Sequence, residues 1–177
     1  VLRAEVATML GRTLRRLGQL DAARKQLDAA WDAIQRGGFV DATTSARVEL
    51  ERALVMSEQG EHSESRKVFD RLLPTLVGSA ELPTETIEEA RRAAASSLAA
   101  LGEGAAAEAL ARASLVLAAK QNGEFSTPAS GAKAALADIL GERGAWDEAE
   151  RLISDAYNTE RQRLGELHPV VLQLLAD

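Results

Sequence analysis

Four glycines, Gly18, Gly60, Gly102 and Gly144, follow one another at a constant spacing of 42 residues. A period of that size confines the chain to an array of one supersecondary unit, whose copies must share faces to bury them. The register extends beyond the glycines. Five residues on stand Ala23, Ser65, Ala107 and Ala149; nine on stand Leu27, Phe69, Ala111 and Ile153; twelve on stand Ala30, Leu72, Ser114 and Ala156. Apolar residues on either side recur at helical spacing, Val6, Leu10 and Leu14 before the first glycine and Leu20, Ala23, Leu27 and Trp31 after it. Each unit therefore reads as an antiparallel helix pair. The glycine ends the first helix in a left-handed conformation, and a small residue lets the second helix approach closely.

Composition agrees with that reading. Thirty-four alanines stand against six Phe, Trp and Tyr together, which favours helix over strand. Breakers divide the units: Gly37-Gly38, Gly78-Ser79, Pro83-Thr84, Asn122-Gly123 and Thr127-Pro128. Pro128 and Pro169 suit helix entry, and Thr86 with Glu89 reads as a capping box. The units fall at about 1–40, 41–82, 83–124 and 125–166, with a partial fifth over 167–177, in a single repeat domain. With no initiator Met and no signal-peptide layout, the chain reads as a module excised from a longer protein.

These positions resemble tetratricopeptide (TPR) repeats over essentially the whole chain. Unit one supplies Gly11, Gly18, Leu20, Ala23, Leu27 and Ala30; unit four supplies Ala137, Gly144, Trp146, Ala149, Ile153 and Ala156. The 42-residue period is similar to the kinesin-light-chain-like subclass, whose junction motif has a counterpart in Leu164-Gly165-Glu166-Leu167-His168-Pro169. Units two and three depart from the pattern at His62, Ser65, Gly104 and Ala111. The resemblance implies an all-α, right-handed superhelical solenoid of antiparallel helix pairs, with a concave groove lined by the first helix of each pair. It also implies that His168 caps the helix begun by Pro169.

Catalytic and cofactor chemistry finds no foothold in the sequence. The absence of cysteine excludes disulfides, zinc–cysteine sites and a cysteine nucleophile. His62 and His168 lack a third ligand at metal-binding spacing and read as structural or exposed. Carboxylates such as Glu88-Glu89 and Asp147-Glu148 read as solvated first-turn charges, and Ser96, Ser97 and Ser114 have no paired base. The glycine spacing gives neither a P-loop nor a dinucleotide fingerprint. The expectation is no enzyme, no metal and no cofactor. A net charge of −6 argues against a nucleic-acid partner, and no apolar run is long enough to span a membrane.

What remains is surface. The groove positions that the resemblance implies, at 13, 10, 6, 3 and 2 residues before each glycine, hold Arg12, Arg15, Arg16, Arg47, Leu50, Leu54 and Arg92. Residues 1–37 carry seven Lys and Arg against four Asp and Glu, whereas residues 125–177 carry five against nine. The arginines suit an acidic protein or peptide segment, with Leu50 and Leu54 as its apolar seat. In the other reading the same arginines are solvated or pair with neighbouring glutamates. The paired asparagines by which kinesin-light-chain-like repeats hold a peptide backbone are replaced by Thr8-Met9, Leu50-Glu51, Arg92-Ala93 and Ala134-Ala135.

The function expected is a protein- or peptide-binding scaffold in a larger, cytoplasmic bacterial signalling or regulatory protein. Seventeen Arg against four Lys, with so much Ala, fits a high-GC bacterial genome. The alternative is a sensory or self-associating arm that controls an attached kinase or nucleotide-binding transcription regulator.

Overall fold

The computed structural model describes residues 2–36, 41–76 and 84–176. They form nine α-helices and no strand: α1 (Leu2–Arg16), α2 (Leu20–Gln35), α3 (Ala42–Glu58), α4 (His62–Leu76), α5 (Thr84–Ala100), α6 (Gly104–Asn122), α7 (Thr127–Glu142), α8 (Trp146–Leu164) and α9 (Pro169–Ala176). The breakers Gly37, Gly38, Gly78, Ser79 and Pro83 lie outside the described residues. The chain divides into two compact units, Val1–Ser97 and Leu98–Asp177.

One turn is built four times. Gly18, Gly60, Gly102 and Gly144 have φ between +73° and +83°, a region only glycine enters without steric cost. The residue after each glycine donates its N–H to a carbonyl five residues back: Gln19 to Leu14 (2.9 Å), Glu61 to Met56 (2.8 Å), Glu103 to Leu98 (2.9 Å) and Ala145 to Leu140 (2.8 Å). This arrangement satisfies carbonyls that the helix end leaves unpaired. The small residue five positions past each glycine then donates the next helical bond, from Ala23, Ser65, Ala107 or Ala149. Three of these side chains are 0% exposed and Ala149 is 8% exposed, as close helix approach requires.

A second glycine turn, also 42 residues apart, closes the later pairs. Gly123 and Gly165 have φ +92° and +85° and end α6 and α8. The residue three positions on, Ser126 or His168, donates its N–H back to that glycine's carbonyl, 3.3 Å in both turns. Ser126 then caps α7 by accepting from the Ala129 N–H, and His168 Nδ1 accepts from the Val170 N–H at 3.3 Å. Pro128 sits in the first turn of α7 and Pro169 opens α9, where a missing N–H breaks no helical bond. The capping box read at Thr86 and Glu89 is corrected by the structure. Helix α5 begins two residues earlier, at Thr84, so Thr86 lies buried within it and Glu89 is drawn to an arginine of α1.

In the first unit, α3 packs against α1, α2 and α4. It therefore buries residues around its circumference, among them Val48, Leu50, Ala53, Leu54 and Val55. Leu27, Ala23 and Val55 form one core cluster, with Leu14 against it. Gly11 allows that approach, since a Cβ there would lie 2.5 Å from Leu27 Cγ. In the second unit α7 plays the same part between α6 and α8, burying Ala132, Leu136, Ala137 and Leu140. Its core is built more from alanine, with Ala118, Ala129 and Ala132 clustered beside Leu115.

Candidate functional site

The arginines expected to line a groove do different things. Arg15, on α1, is buried, its side chain 4% exposed, and it gathers three carboxylates. Its Nη1 donates to Glu58 Oε1 at 2.5 Å and its Nη2 to Glu89 Oε1 at 2.7 Å, while Nε lies 3.5 Å from Glu51 Oε2. Arg12 Nε donates to the other oxygen of Glu51 at 2.5 Å. Glu51 is 0% exposed, so two guanidiniums hold one buried carboxylate. The cluster ties α1 to α3 and α5 within the first unit. Burial works to lower the pKa of Arg15, but the hydrogen bonds and charges of Glu89, Glu58 and Glu51 outweigh it, and the net shift is upward.

Leu50 and Leu54 are also interior, at 0% and 1% exposure, so they form core and not an open apolar seat. The sequence pattern misplaced them because α3 is enclosed on several sides. Arg16 and Arg92 are exposed, and neither makes an ion pair among the described residues. Arg47 is half-buried, and its Nε is sealed from solvent with no hydrogen-bond partner. The structure thus separates the expected set into residues that hold the helices together (Arg15, Leu50, Leu54), a bridging one (Arg12), and three cations with no ion pair among the described residues (Arg16, Arg47, Arg92), of which Arg92 still acts on the nearby Glu88 carboxyl.

Between α1 and α3 lies a cavity of about 250 Å³, lined by Glu5, Thr8, Met9 and Arg12 from α1 and by Thr44 and Arg47 from α3. Its hydroxyl protons are already committed. Thr8 Oγ1 donates to the Ala4 carbonyl at 2.6 Å, and Thr44 Oγ1 donates to Asp41 Oδ2 at 2.8 Å.

The residues weighed for chemistry are engaged structurally. Glu88 is buried and held by Arg91 at 2.8 Å, and Glu89 is held by Arg15; neither is a freely solvated charge. Burial raises the Glu88 pKa, with Arg91 acting against the shift. Ser97 is 0% exposed and its hydroxyl lies 2.9 Å from that of Ser57 and 3.1 Å from that of Ser65. His62 opens α4 with a buried, unpartnered Nδ1. Among the described residues no group of three or more His, Asp or Glu side chains is placed to hold a metal ion. None of the described helices is long and apolar enough to cross a membrane.

Glu51, Glu58 and Glu89 were not singled out from the sequence as partners of these arginines. A signal for them existed, since Arg12–Glu51 and Arg15–Glu58 are 39 and 43 residues apart, within a helical turn of the repeat period.

No family model matches the sequence, and no curated protein matches it. Solved structures do. BtubC (BKLC) from P. vanneervenii aligns over 97% of this chain with 15% identity and a TM-score of 0.61. The chain spans 61% of the length of that protein. A Podosopora anserina structure of nearly identical TPR-like repeats aligns over 92% of this chain and 97% of its own, with 14% identity and a TM-score of 0.45. The repeated helix–glycine–helix turns and the match to BtubC together give this chain an all-α, TPR-like helical-repeat fold.

Proposed function

We propose that the chain is a protein- or peptide-binding scaffold whose first unit presents arginines of α1, α3 and α5 to an acidic segment. The observation that carries this reading is the unequal treatment of the cations. Arg15 is neutralised by three carboxylates, yet Arg16, Arg47 and Arg92, at the positions that line the groove in TPR-like repeats, are left without an ion pair among the described residues. A TPR-like fold supports a role in protein interaction. Placement in a larger cytoplasmic bacterial signalling or regulatory protein rests on the excess of Arg over Lys and the alanine content.

The test is a displayed-peptide selection against the purified chain, followed by affinity measurements on variants. Arg16→Glu with Arg92→Glu should weaken selected peptides by about tenfold or more, the scale of one or two lost charge-assisted contacts. Lys25→Glu on α2 with Arg36→Glu at its C-terminal cap should leave affinity within about twofold. Peptides indifferent to the first pair and sensitive to the second would place binding on the other helices and overturn the reading.

A second reading, self-association, is favoured by exposed apolar side chains on single helices: Val6, Met9 and Leu10 on α1, and Leu172 and Leu175 on α9. A sedimentation series that stays monomeric at high concentration would remove it.

A further inference from the structure

We infer that charges set between the helices decide which second helix packs on which first helix, and so hold the chain in one register and keep it from swapping helices with a second copy of itself. A chain built on one period carries its own competitors. The turn glycine and the small residue five positions past it recur in all four copies, so neither distinguishes one helix pair from another. An array of that kind is prone to take a helix from a neighbouring chain.

The distinction lies in buried charge. In copy two, Glu49, eleven residues before Gly60, is paired with Arg71, eleven residues after it. In copy four the same two places hold Lys133 and Asp155, 3.9 Å apart, with the signs exchanged. The Glu49 and Lys133 side chains are each 9% exposed, so each holds its charge largely out of water and depends on an opposite one. Copies one and three carry Ala29 and Ala113 at the later place. Of the four second helices, only α4 brings a cation there to Glu49, and only α8 brings an anion to Lys133. Seating α8 on α3 would set Asp155 against Glu49; seating α4 on α7 would set Arg71 against Lys133.

Contacts from one pair to the next repeat the device. Six and ten residues past the glycine, α2 carries Arg24 and Asp28, whereas α6 carries Glu108 and Arg112. Arg24 donates to Gln59 and Glu61, both at 3.0 Å, and Asp28 accepts from Arg52 at 2.8 Å. Glu108 instead accepts from Arg143, and Arg112 donates twice to Glu148, at 2.8 and 2.9 Å. Moved onto α7 and α8, α2 would bring Arg24 to Arg143 and Asp28 to Glu148. Moved onto α3 and α4, α6 would bring Glu108 to Glu61 and Arg112 to Arg52. Each of these misplacements meets like charge. This outer set is partly exposed, so it adds to the discrimination made by Glu49 and Lys133 and does not replace it.

A decisive experiment keeps every pair and erases the difference. Lys133→Glu with Asp155→Arg, joined to Glu108→Arg, Arg112→Glu, Arg143→Glu and Glu148→Arg, gives copies three and four the signs of copies one and two. Parent and variant, both as full chains, are unfolded in urea, refolded at about 100 μM and diluted roughly a hundredfold before sedimentation velocity. Dimers docked through the exposed apolar side chains of α1 and α9 re-equilibrate on dilution, whereas swapped helices part only by unfolding. Dimers that outlast the dilution therefore report the swap. They should be about fivefold or more as abundant in the variant as in the parent, the weight of roughly one relieved like-charge contact. Equal amounts in the two chains would overturn the inference. Since six changes can prevent folding, two smaller variants keep it open to refutation. Lys133→Glu alone sets a carboxylate beside Asp155 and should lower the urea midpoint, and adding Asp155→Arg should restore most of the loss. A midpoint unmoved by the first change, or not recovered by the second, would overturn the pairing.

Discussion

At the scale of single residues, two positions in α1 set how the first helix pair can pack. Gly11 faces Leu27, whose Cγ would lie 2.5 Å and Cδ2 2.8 Å from an added Cβ. Leu27 is 0% exposed and has nowhere to retreat. Gly11→Ala should therefore destabilise the fold by about 1–3 kcal/mol, the usual cost of overpacking a closed core, read as a lower urea midpoint. Arg15 is the electrostatic counterpart. Its removal leaves the fully buried Glu51 with Arg12 as its remaining cation, while Glu58 and Glu89 reach solvent in part. Arg15→Ala should cost about 3 kcal/mol, the low end for breaking a buried pair from one side. Arg16→Ala, one residue on and exposed, should stay within about 0.5 kcal/mol in the same assay. The period and the glycine positions located Gly11 and Arg15. Burial of Arg15 was not legible, because its carboxylates come from two other helices, up to 74 residues away.

At the scale of elements, helix ends were readable where one residue fixes them. The four turn glycines, Pro128, Pro169 and the His168 cap stand where their sequence roles put them. The start of α5 was not, since Thr86 and Glu89 match a capping pattern yet lie inside the helix, buried or drawn across to α1. Burial around the whole of α3 was equally hidden, because Leu50 and Leu54 occupy positions that line a groove only when that side of the helix is open. Asp41 caps α3, accepting from the Thr44 N–H at 2.7 Å and the Thr44 hydroxyl at 2.8 Å. Those two bonds hold its carboxyl below the ordinary value of 3.8. A depressed folded pKa contributes stability that is present above the unfolded value and lost as pH falls through the folded one. Asp41→Asn preserves the cap and deletes the titration. The variant should therefore lose less thermal stability than the parent protein between pH 4 and pH 2, as followed by circular dichroism. Glu88 works in the opposite sense. Its raised pKa favours the protonated form in the fold, so its contribution weakens as pH rises through that value.

At the scale of the whole molecule, the repeat made the fold class legible, and the same regularity concealed how unlike the copies are. Positions five past each turn glycine are all buried, whatever the residue, because the turn geometry dictates them. Polar positions carry no such uniformity. The contacts of Arg15 link three successive copies, whereas at the same register α3, α5 and α7 carry Ser57, Ala99 and Gly141. Helical repeats are often treated as interchangeable parts, to be shuffled, deleted or replaced by a consensus. In this chain the first three copies are not tradeable one at a time. Grafting a foreign copy over residues 41–82 would discard Glu51 and Glu58 together and leave Arg15 to a single partner on α5. Anyone recombining this array should move residues 1–100 as one cassette, and natural exchange of repeats within it should be selected against for the same reason.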